Sequence, residues 1–441
     1  SLAPDWRVLA FALAVSLATG IAFGLAPALQ ATRVDLVPGL KDASADGRAR
    51  SRLRGALLVG QVALTLVLLI GAGLFARALQ RALSIDPGFR YDQVATIGAD
   101  PGLARYDGPR AAGYFDETAR RVLALPGVAS AGWTSSVPLT DDENTTTVAI
   151  EGYTPRPDEQ VEVEVTLVGP GFLDALGIPI VRGRGLQARD ARGAEPVAIV
   201  NEAFAARYFP DGNALGKKLD FIRNPVAIIG IAKDLKYHTL RDEPRPYVYM
   251  PLAQQLESHP FMTSMTLVVD ARVPPAGLLP ALARELHAVA PDVPVFHAGN
   301  LSDVMATLLL PQRLGAMLLG MFSLLAMFLA ALGVFGVVAY GVSQRVREIG
   351  VRMALGARSA DIFRLVLGGS LRNVALGVAL GVGLGAAVAR AAEGFLYGIA
   401  GTDLPTYLAT SAILLAVSAL AAYLPARAAA RTNPAITLKA E

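Results

Sequence analysis

The sequence contains no cysteine. That excludes a disulfide framework, a thiolate metal site and a cysteine nucleophile, so each folded part must hold together through its own core. Charge is scarce too: Asp, Glu, Lys and Arg make up 17% of the residues, against about 25% in an average soluble domain. The few histidines, His238, His259, His287 and His297, lack metal-ligand spacing and read as surface or partly buried side chains. The acidic run Asp141-Asp142-Glu143 lacks the alternating oxygen positions of a calcium loop and reads as a solvated loop or a partner contact. Gly212-Asn-Ala-Leu-Gly216-Lys217-Lys218 has the outline of a phosphate loop, but its glycines stand one residue too close and no Ser or Thr follows the lysine. It reads as a turn before a strand. No nucleophile with a neighbouring base can be assembled, so no catalytic, cofactor-binding or metal residue is assigned and no cofactor is expected.

What is abundant is apolar length. Stretches 7–29, 56–76, 314–342, 365–389 and 405–424 are each near or above the roughly 20 residues that a helix needs to cross a bilayer. Gly55 to Gly73 is apolar on nearly every face, which suits a membrane helix and not an alternating barrel strand. None of these stretches carries an embedded carboxylate, histidine or pair of opposite charges, which speaks against a proton or ion route of the secondary-transporter kind. Between the second and third lies a long soluble-looking insert, 77–313. The expected fold is a multi-pass α-helical membrane protein with a large α+β extracytoplasmic domain inserted between transmembrane helices.

Basic side chains set the orientation. Arg33, Lys41, Arg48, Arg50, Arg52 and Arg54 crowd 30–54, and Arg345, Arg347, Arg352, Arg358 and Arg364 crowd 343–364; Arg427, Arg431 and Lys439 follow in the tail. Short Arg- and Lys-rich segments stay in the cytoplasm. The insert holds 23 basic and 28 acidic residues and is the exported part, with a cytoplasmic C-terminus. At a constant offset of 398, Pro27, Ala28, Ala31, Arg33, Leu40 and Lys41 fall on identical residues near the C-terminus. This repeat makes 1–54 the last helix of a preceding unit plus a cytoplasmic linker, 55–76 a transmembrane helix, 77–313 the external domain and 314–441 a three-helix domain.

Within the insert, helices are expected over Tyr114–Leu125, Gly171–Leu176, Asn201–Phe209 and Leu278–Ala290. Strands are expected over Val128–Thr134, Thr147–Glu151, Val161–Val168, Val197–Val200, Val226–Ile231, Tyr247–Met250 and Thr266–Val269. The order of elements predicts two bodies, one from the first and last parts of the insert and one from its middle.

The stretch Tyr340 to Arg358 predicts an amphipathic helix. Val342, Val346, Ile349 and Met353 form an apolar stripe, and Arg345, Glu348 and Arg352 an opposite charged ridge. Two readings stand: anchorage to anionic lipid, or docking of a cytoplasmic partner through Arg345, Glu348, Ile349, Arg352 and Met353. Further on, Arg372 reads as a side chain snorkelling to the inner headgroups. Gly377, Gly381 and Gly385 place small residues four apart on one helical face, which permits close approach of another membrane helix within the chain or across a dimer seam. A membrane-anchored signalling or scaffold protein that senses an extracytoplasmic ligand is the alternative to a transport role.

Five stretches together resemble the FtsX/MacB-type ABC transporter permeases. They are Leu57 to Phe75, Val165 to Arg184, Val200 to Pro210, the Arg345-Val-Arg-Glu-Ile-Gly-Val-Arg-Met-Ala-Leu-Gly-Ala357 run, and Tyr423 to Arg431. The likeness is greatest to the C-terminal part of a duplicated permease of the kind found in Acidobacteria. The resemblance implies a MacB-like periplasmic core over 77–313, an FtsX-like permease domain over 314–441 and a coupling helix over 343–355. It also implies residence in the cell inner membrane and a separate cytoplasmic ABC ATPase that performs the hydrolysis, so that this chain is not itself an enzyme. Membrane lipids and a second permease unit, as homodimer or pseudo-dimer, are the other expected partners; nucleic acid is not one. The implied role is export or envelope remodelling driven by conformational change outside the membrane.

Overall fold

Among the described residues of the computed structural model, four helices are long and apolar enough to cross a membrane: Leu53–Ser84, Leu310–Gln344, Ala360–Ala391 and Leu404–Ala429. The structure describes residues 43–140, 144–157, 159–221, 224–241, 243–256, 262–355, 357–391 and 401–430. The leading stretch 7–29 with the rest of the first copy of the 398-residue repeat, Asp141–Glu143, His259 and Arg431 onward lie outside the described residues. The chain forms two compact units, a larger one of Val62–Ala331 with Val378–Leu420 and a smaller one of Ser1–Gln61, Leu332–Gly377 and Ala421–Glu441.

The elements in chain order are α1 (Ala43–Ser84), β1 (Val94–Ala99), α2 (Gly108–Leu123), β2 (Val128–Thr134), β3 (Thr145–Thr147), β4 (Ala149–Ile150), β5 (Glu162–Val168), α3 (Phe172–Ala175), β6 (Ile180–Gly183), β7 (Val197–Asn201), α4 (Glu202–Tyr208), β8 (Lys218–Asp220), β9 (Pro225–Ala232), β10 (Tyr247–Pro251), α5 (Leu252–Gln255), β11 (Met265–Ala271), α6 (Pro275–Val289), β12 (Val295–Asn300), α7 (Leu301–Leu308), α8 (Leu310–Gln344), α9 (Val346–Ala354), α10 (Ser359–Ala391) and α11 (Leu404–Ala430).

In the larger unit all twelve strands join one sheet, in the order β12-β1-β11-β2-β5-β10-β7-β9-β8-β4, with β3 on β5 and β6 on β9. Strands β1, β7 and β10 are buried along their whole length, as strands covered on both faces are. Alternate side chains feed two cores. Ile97, Val200, Val248, Leu267 and Val269 point into one; Val94, Ile199, Tyr249 and Val268 point into the other.

The first core is closed by α2 and α6. Asp107 caps α2 by accepting from Arg110 N at 3.0 Å, and the helix then buries Ala111, Tyr114, Phe115, Thr118 and Val122 at helical spacing. Helix α6 buries Leu278, Leu282 and Leu286. The Phe115 ring lies tilted against Trp133 with centroids 4.8 Å apart, and the indole donates back to the Phe115 carbonyl at 2.9 Å. The second core is closed by α3 and by the chain that leads to and from the membrane helices: Ala82 from α1, Leu301 and Met305 from α7, and Leu309.

Strands from the first and last parts of the insert, β1, β2, β11 and β12, lie side by side, and strands from its middle fill the rest of the sheet. The two groups meet at β2 and β5 through one ladder pair, Thr134 with Val168. Hydroxyls supplement this thin seam: Ser135 Oγ accepts from Leu167 N at 2.9 Å and lies 3.1 Å from Thr166 Oγ1. The seam tolerates no extra atom at Gly132, where a Cβ would come within 2.3 Å of Phe172 N.

In the smaller unit Ile349, Ile362 and Ala429 are buried together, with Val342, Met353, Ala357 and Val366 packed around them. Phe363 meets Tyr423 edge-on at 5.8 Å, and the Arg54 guanidinium lies 4.0 Å above the Tyr340 ring.

The seam generates a prediction. Gly132→Ala drives a methyl into backbone that cannot retreat and should cost about 1–3 kcal/mol, whereas Gly113→Ala, on an open face of α2, should be neutral or stabilising. Denaturant unfolding of the two variants, followed by Trp133 fluorescence, checks the difference.

Candidate functional site

The connection from α8 through α9 to α10 carries the residues singled out in the sequence. Helix α8 runs 35 residues and stops at Gln344. Arg345, at φ −116° and ψ 12°, breaks the helical path and its carbonyl then accepts from Ile349 N at 2.9 Å, so α9 starts on a new axis. The helix ends where Ala357 N donates to the Arg352 carbonyl at 2.9 Å. At the start of α10, Asp361 Oδ2 accepts from Arg358 N at 3.2 Å.

The five predicted docking residues divide between two faces. Ile349, 3% exposed, and half-buried Met353 turn inward to the cluster with Ile362 and Ala429. They anchor α9 in its own unit and are not presented outward. Arg345, Glu348 and Arg352 are exposed, and Glu348 pairs with Arg352 at 2.7 Å across one turn. The same outer face carries Val351, 43% exposed, and Leu355, 83% exposed, which the sequence reading passed over. Their signal was available: 348, 351, 352 and 355 recur at helical spacing, so two apolar residues sit on the ridge assigned to charge.

The glycines expected to let helices approach all lie buried on α10. In the larger unit a Cβ at Gly381 would come within 2.9 Å of the Ala63 carbonyl oxygen and Leu66 Cβ on α1, and one at Gly385 within 2.8 Å of Ile70. Both therefore sit against α1 within the chain. Gly377, in the smaller unit, is buried one turn earlier on the same face.

Helix α1 is also pinned at its far end. Arg77 forms an ion pair with Asp403, which precedes α11 and accepts from Thr406 N at 3.1 Å and Thr406 Oγ1 at 2.5 Å. Burial pushes the Asp403 carboxyl up, but the Thr406 hydrogen bonds and the Arg77 charge outweigh it, and the net effect holds the carboxyl below its ordinary range.

Glu164 is one of the buried carboxylates of the inserted domain. His238 Nε2 lies 2.6 Å from Glu164 Oε2, with Arg245 3.5 Å from the other carboxylate oxygen. Tyr237 and Tyr247 stack nearby at 3.7 Å, and burial raises both phenols well above their ordinary range, so both stay neutral. Among the described residues no group of three His, Asp or Glu side chains is arranged to hold a metal ion. The Gly212–Lys218 segment is a turn: Gly212 and Gly216 both take positive φ, Lys217 pairs with Glu151 at 3.1 Å, and the chain enters β8.

Comparison with known proteins assigns this architecture. A family model described as the MacB-like periplasmic core domain matches residues 55–289, over half of the chain, and one described as the FtsX-like permease C-terminal matches residues 320–434. The chain belongs to the FtsX/MacB family of ABC permeases. It is similar to the macrolide export ATP-binding/permease protein MacB of Marinobacter nauticus, at 26% identity over 390 residues, covering 86% of this chain and 58% of that protein. The MacB protein of Rhodospirillum rubrum is 26% identical over 340 residues, covering 72% of this chain and 51% of its own length. The chain thus spans about half the length of the curated relatives it matches. The crystal structure of the periplasmic region of MacB from Actinobacillus actinomycetemcomitans aligns with 52% of this chain and 97% of its own at 16% identity, with a TM-score of 0.36. Four apolar helices and a periplasmic core domain fit an inner-membrane permease with a periplasmic segment.

Two outcomes test this geometry. Ile349→Asp buries a carboxylate among Ile362 and Ala429 and should lower thermal stability by several degrees, while Leu355→Asp on the open face should leave it unchanged; a melting curve of each purified variant decides. Because the folded Asp403 carboxyl titrates below its unfolded value, the stabilisation is present above the ordinary carboxylate range and lost as pH falls through the folded value. Asp403→Asn should therefore melt lower than wild type at neutral pH, and the two curves should converge in acid.

Proposed function

We propose that this chain is the permease subunit of an ATP-binding-cassette system, coupling hydrolysis by a separate cytoplasmic ATPase to conformational change of the inserted domain outside the membrane. The observation behind it is the two-sided build of α9. One face is fixed by Ile349 and Met353, and the other offers the Glu348–Arg352 pair beside exposed Val351 and Leu355. A helix that bears load from a soluble partner needs both an anchored side and a face that mixes an apolar anchor with charge for register. The Arg-rich segments around it support a cytoplasmic position for α9 and the C-terminus.

Motion received at α9 enters the helices that flank it. At the other end, Ala82 of α1 and Leu301, Met305 and Leu309 beside α8 are built into the second core of the inserted domain. The three larger side chains hold that connection with about 1.5–3 kcal/mol each, enough to move helix and sheet together. A second permease unit, as homodimer or pseudo-dimer, completes the pair of docking faces that a dimerising ATPase requires. The relatives named above are described as macrolide exporters joined to an ATP-binding part; for this chain, export of a substrate or remodelling of the envelope is the work proposed.

The test co-expresses the chain with its candidate ATPase. Glu348→Arg and Leu355→Asp should each weaken co-purification about tenfold or more and remove permease-dependent stimulation of ATP hydrolysis, with melting temperature unchanged. Undiminished association and stimulation in both variants would overturn the docking role. Recovery of a kinase or cyclase instead of an ATPase would favour a signalling role.

A further inference from the structure

We infer that the exposed face of α10 at Arg364, Gly368, Gly369 and Arg372 is a binding site for the headgroup of an anionic phospholipid. Helix α10 contributes a span of 32 residues, about 48 Å long, close to the roughly 40–45 Å of a whole bilayer and well beyond its roughly 30 Å of hydrocarbon. Arg372 lies about 18 Å along that span from Ala360, so with the span centred on a bilayer it falls beneath the headgroup layer and within the hydrocarbon. A guanidinium at that depth needs an anion or a route to one.

Among the described residues no side chain supplies such an anion. Arg364 and Arg372 are both exposed, and among the described residues neither makes an ion pair or side-chain hydrogen bond. The four spans contain a single acidic residue, Asp361, in the first turn of α10, where it accepts from Arg358 N. A second copy docked on this face would bring the same spans, with no acid deeper than Asp361, and could not neutralise Arg372 within the bilayer. A lipid phosphate can, because it sits at the depth to which the side chain leans. Side chains on a helix tilt toward its N-terminus and cover the preceding turn. For Arg372 that turn is Gly368 and Gly369, both exposed and both with open space where a side chain would begin.

The result is a notch with a cation on each side. Arg364 and Arg372 stand two turns apart, about 12 Å along the axis, with the bare backbone of the glycines between them. Larger residues there would fill the space through which a phosphate reaches Arg372. Leu365 and Leu376, on the same face and 39% and 52% exposed, give the acyl chains an apolar surface alongside.

The test reconstitutes the full chain into vesicles of equal parts phosphatidylcholine and phosphatidylglycerol, re-extracts it in mild detergent and quantifies the lipid that remains bound. Wild type should retain phosphatidylglycerol in preference to phosphatidylcholine. Arg372→Gln should reduce that preference about fivefold, the effect of one basic side chain at an anionic surface. Gly368→Leu, which leaves every charge in place, should reduce it as well, and Arg427→Gln, a basic residue on another helix, should not. Unchanged preference in Arg372→Gln and Gly368→Leu would overturn the site. So would a Gly368→Leu variant that alters oligomeric state while retaining its lipid, since the face would then belong to a second copy.

Discussion

The second core of the inserted domain is the constraint on which the larger unit depends. Its upper wall is one face of the sheet, through Val94, Ile199, Tyr249 and Val268. Its lower wall combines α3, through Phe172, Leu173 and Ala175, with the chain entering from α1 and leaving toward α8, through Ala82, Leu301, Met305 and Leu309. A sheet buried on both faces needs cover on each, and here part of one cover comes from the chain that joins the domain to the membrane helices. Displacement of either helix end must therefore move the sheet or open part of this core.

The same economy governs the membrane part. Apolar side chains gain little by leaving lipid for one another, so contact between helices depends on close packing. Gly381 and Gly385 let α10 approach the Ala63 to Ile70 stretch of α1, and Gly73 does the same toward Thr406 and Thr410 of α11. The Arg77–Asp403 pair closes the last of these contacts where water returns and where charge can be held. Helix α1 is thus the common partner in the larger unit, which suits the helix that also enters the second core.

Much of this was legible before any coordinates. The spans announced themselves because a stretch of about 20 apolar residues has few alternatives, and the MacB-like and FtsX-like stretches carried the family. Strands β5, β7, β9 and β10 lie where continuous apolar runs predicted them. Other features are set by tertiary contact and leave little local trace. Strands β8 and β12 are short or polar, and the joining of two strand groups into one sheet rests on a single pair at Thr134 and Val168, which no periodicity could announce. On α9 the pattern gave amphipathicity correctly, but it could not say that the apolar stripe would be consumed by Ile362 and Ala429 of the chain's own helices.

That consumption changes what a surface residue on α9 can mean. If Ile349 and Met353 faced a partner, the helix would be held only by its ends and would yield under load. With Ile349 buried and Met353 half-buried, Glu348, Val351, Arg352 and Leu355 stand on the open side of an anchored helix. In the proposed docking role the charged pair would fix register and the two apolar side chains would supply desolvated area, so the roles that the sequence assigned to one stripe and one ridge are divided differently in space. Exposure among the described helices of the membrane part thus separates into three kinds: apolar side chains along the spans, Val351 and Leu355 beyond them, and Arg364 and Arg372 toward the end of one span. The second kind lies outside the apolar stretches that a bilayer would cover, and that is the ground for proposing a protein partner there.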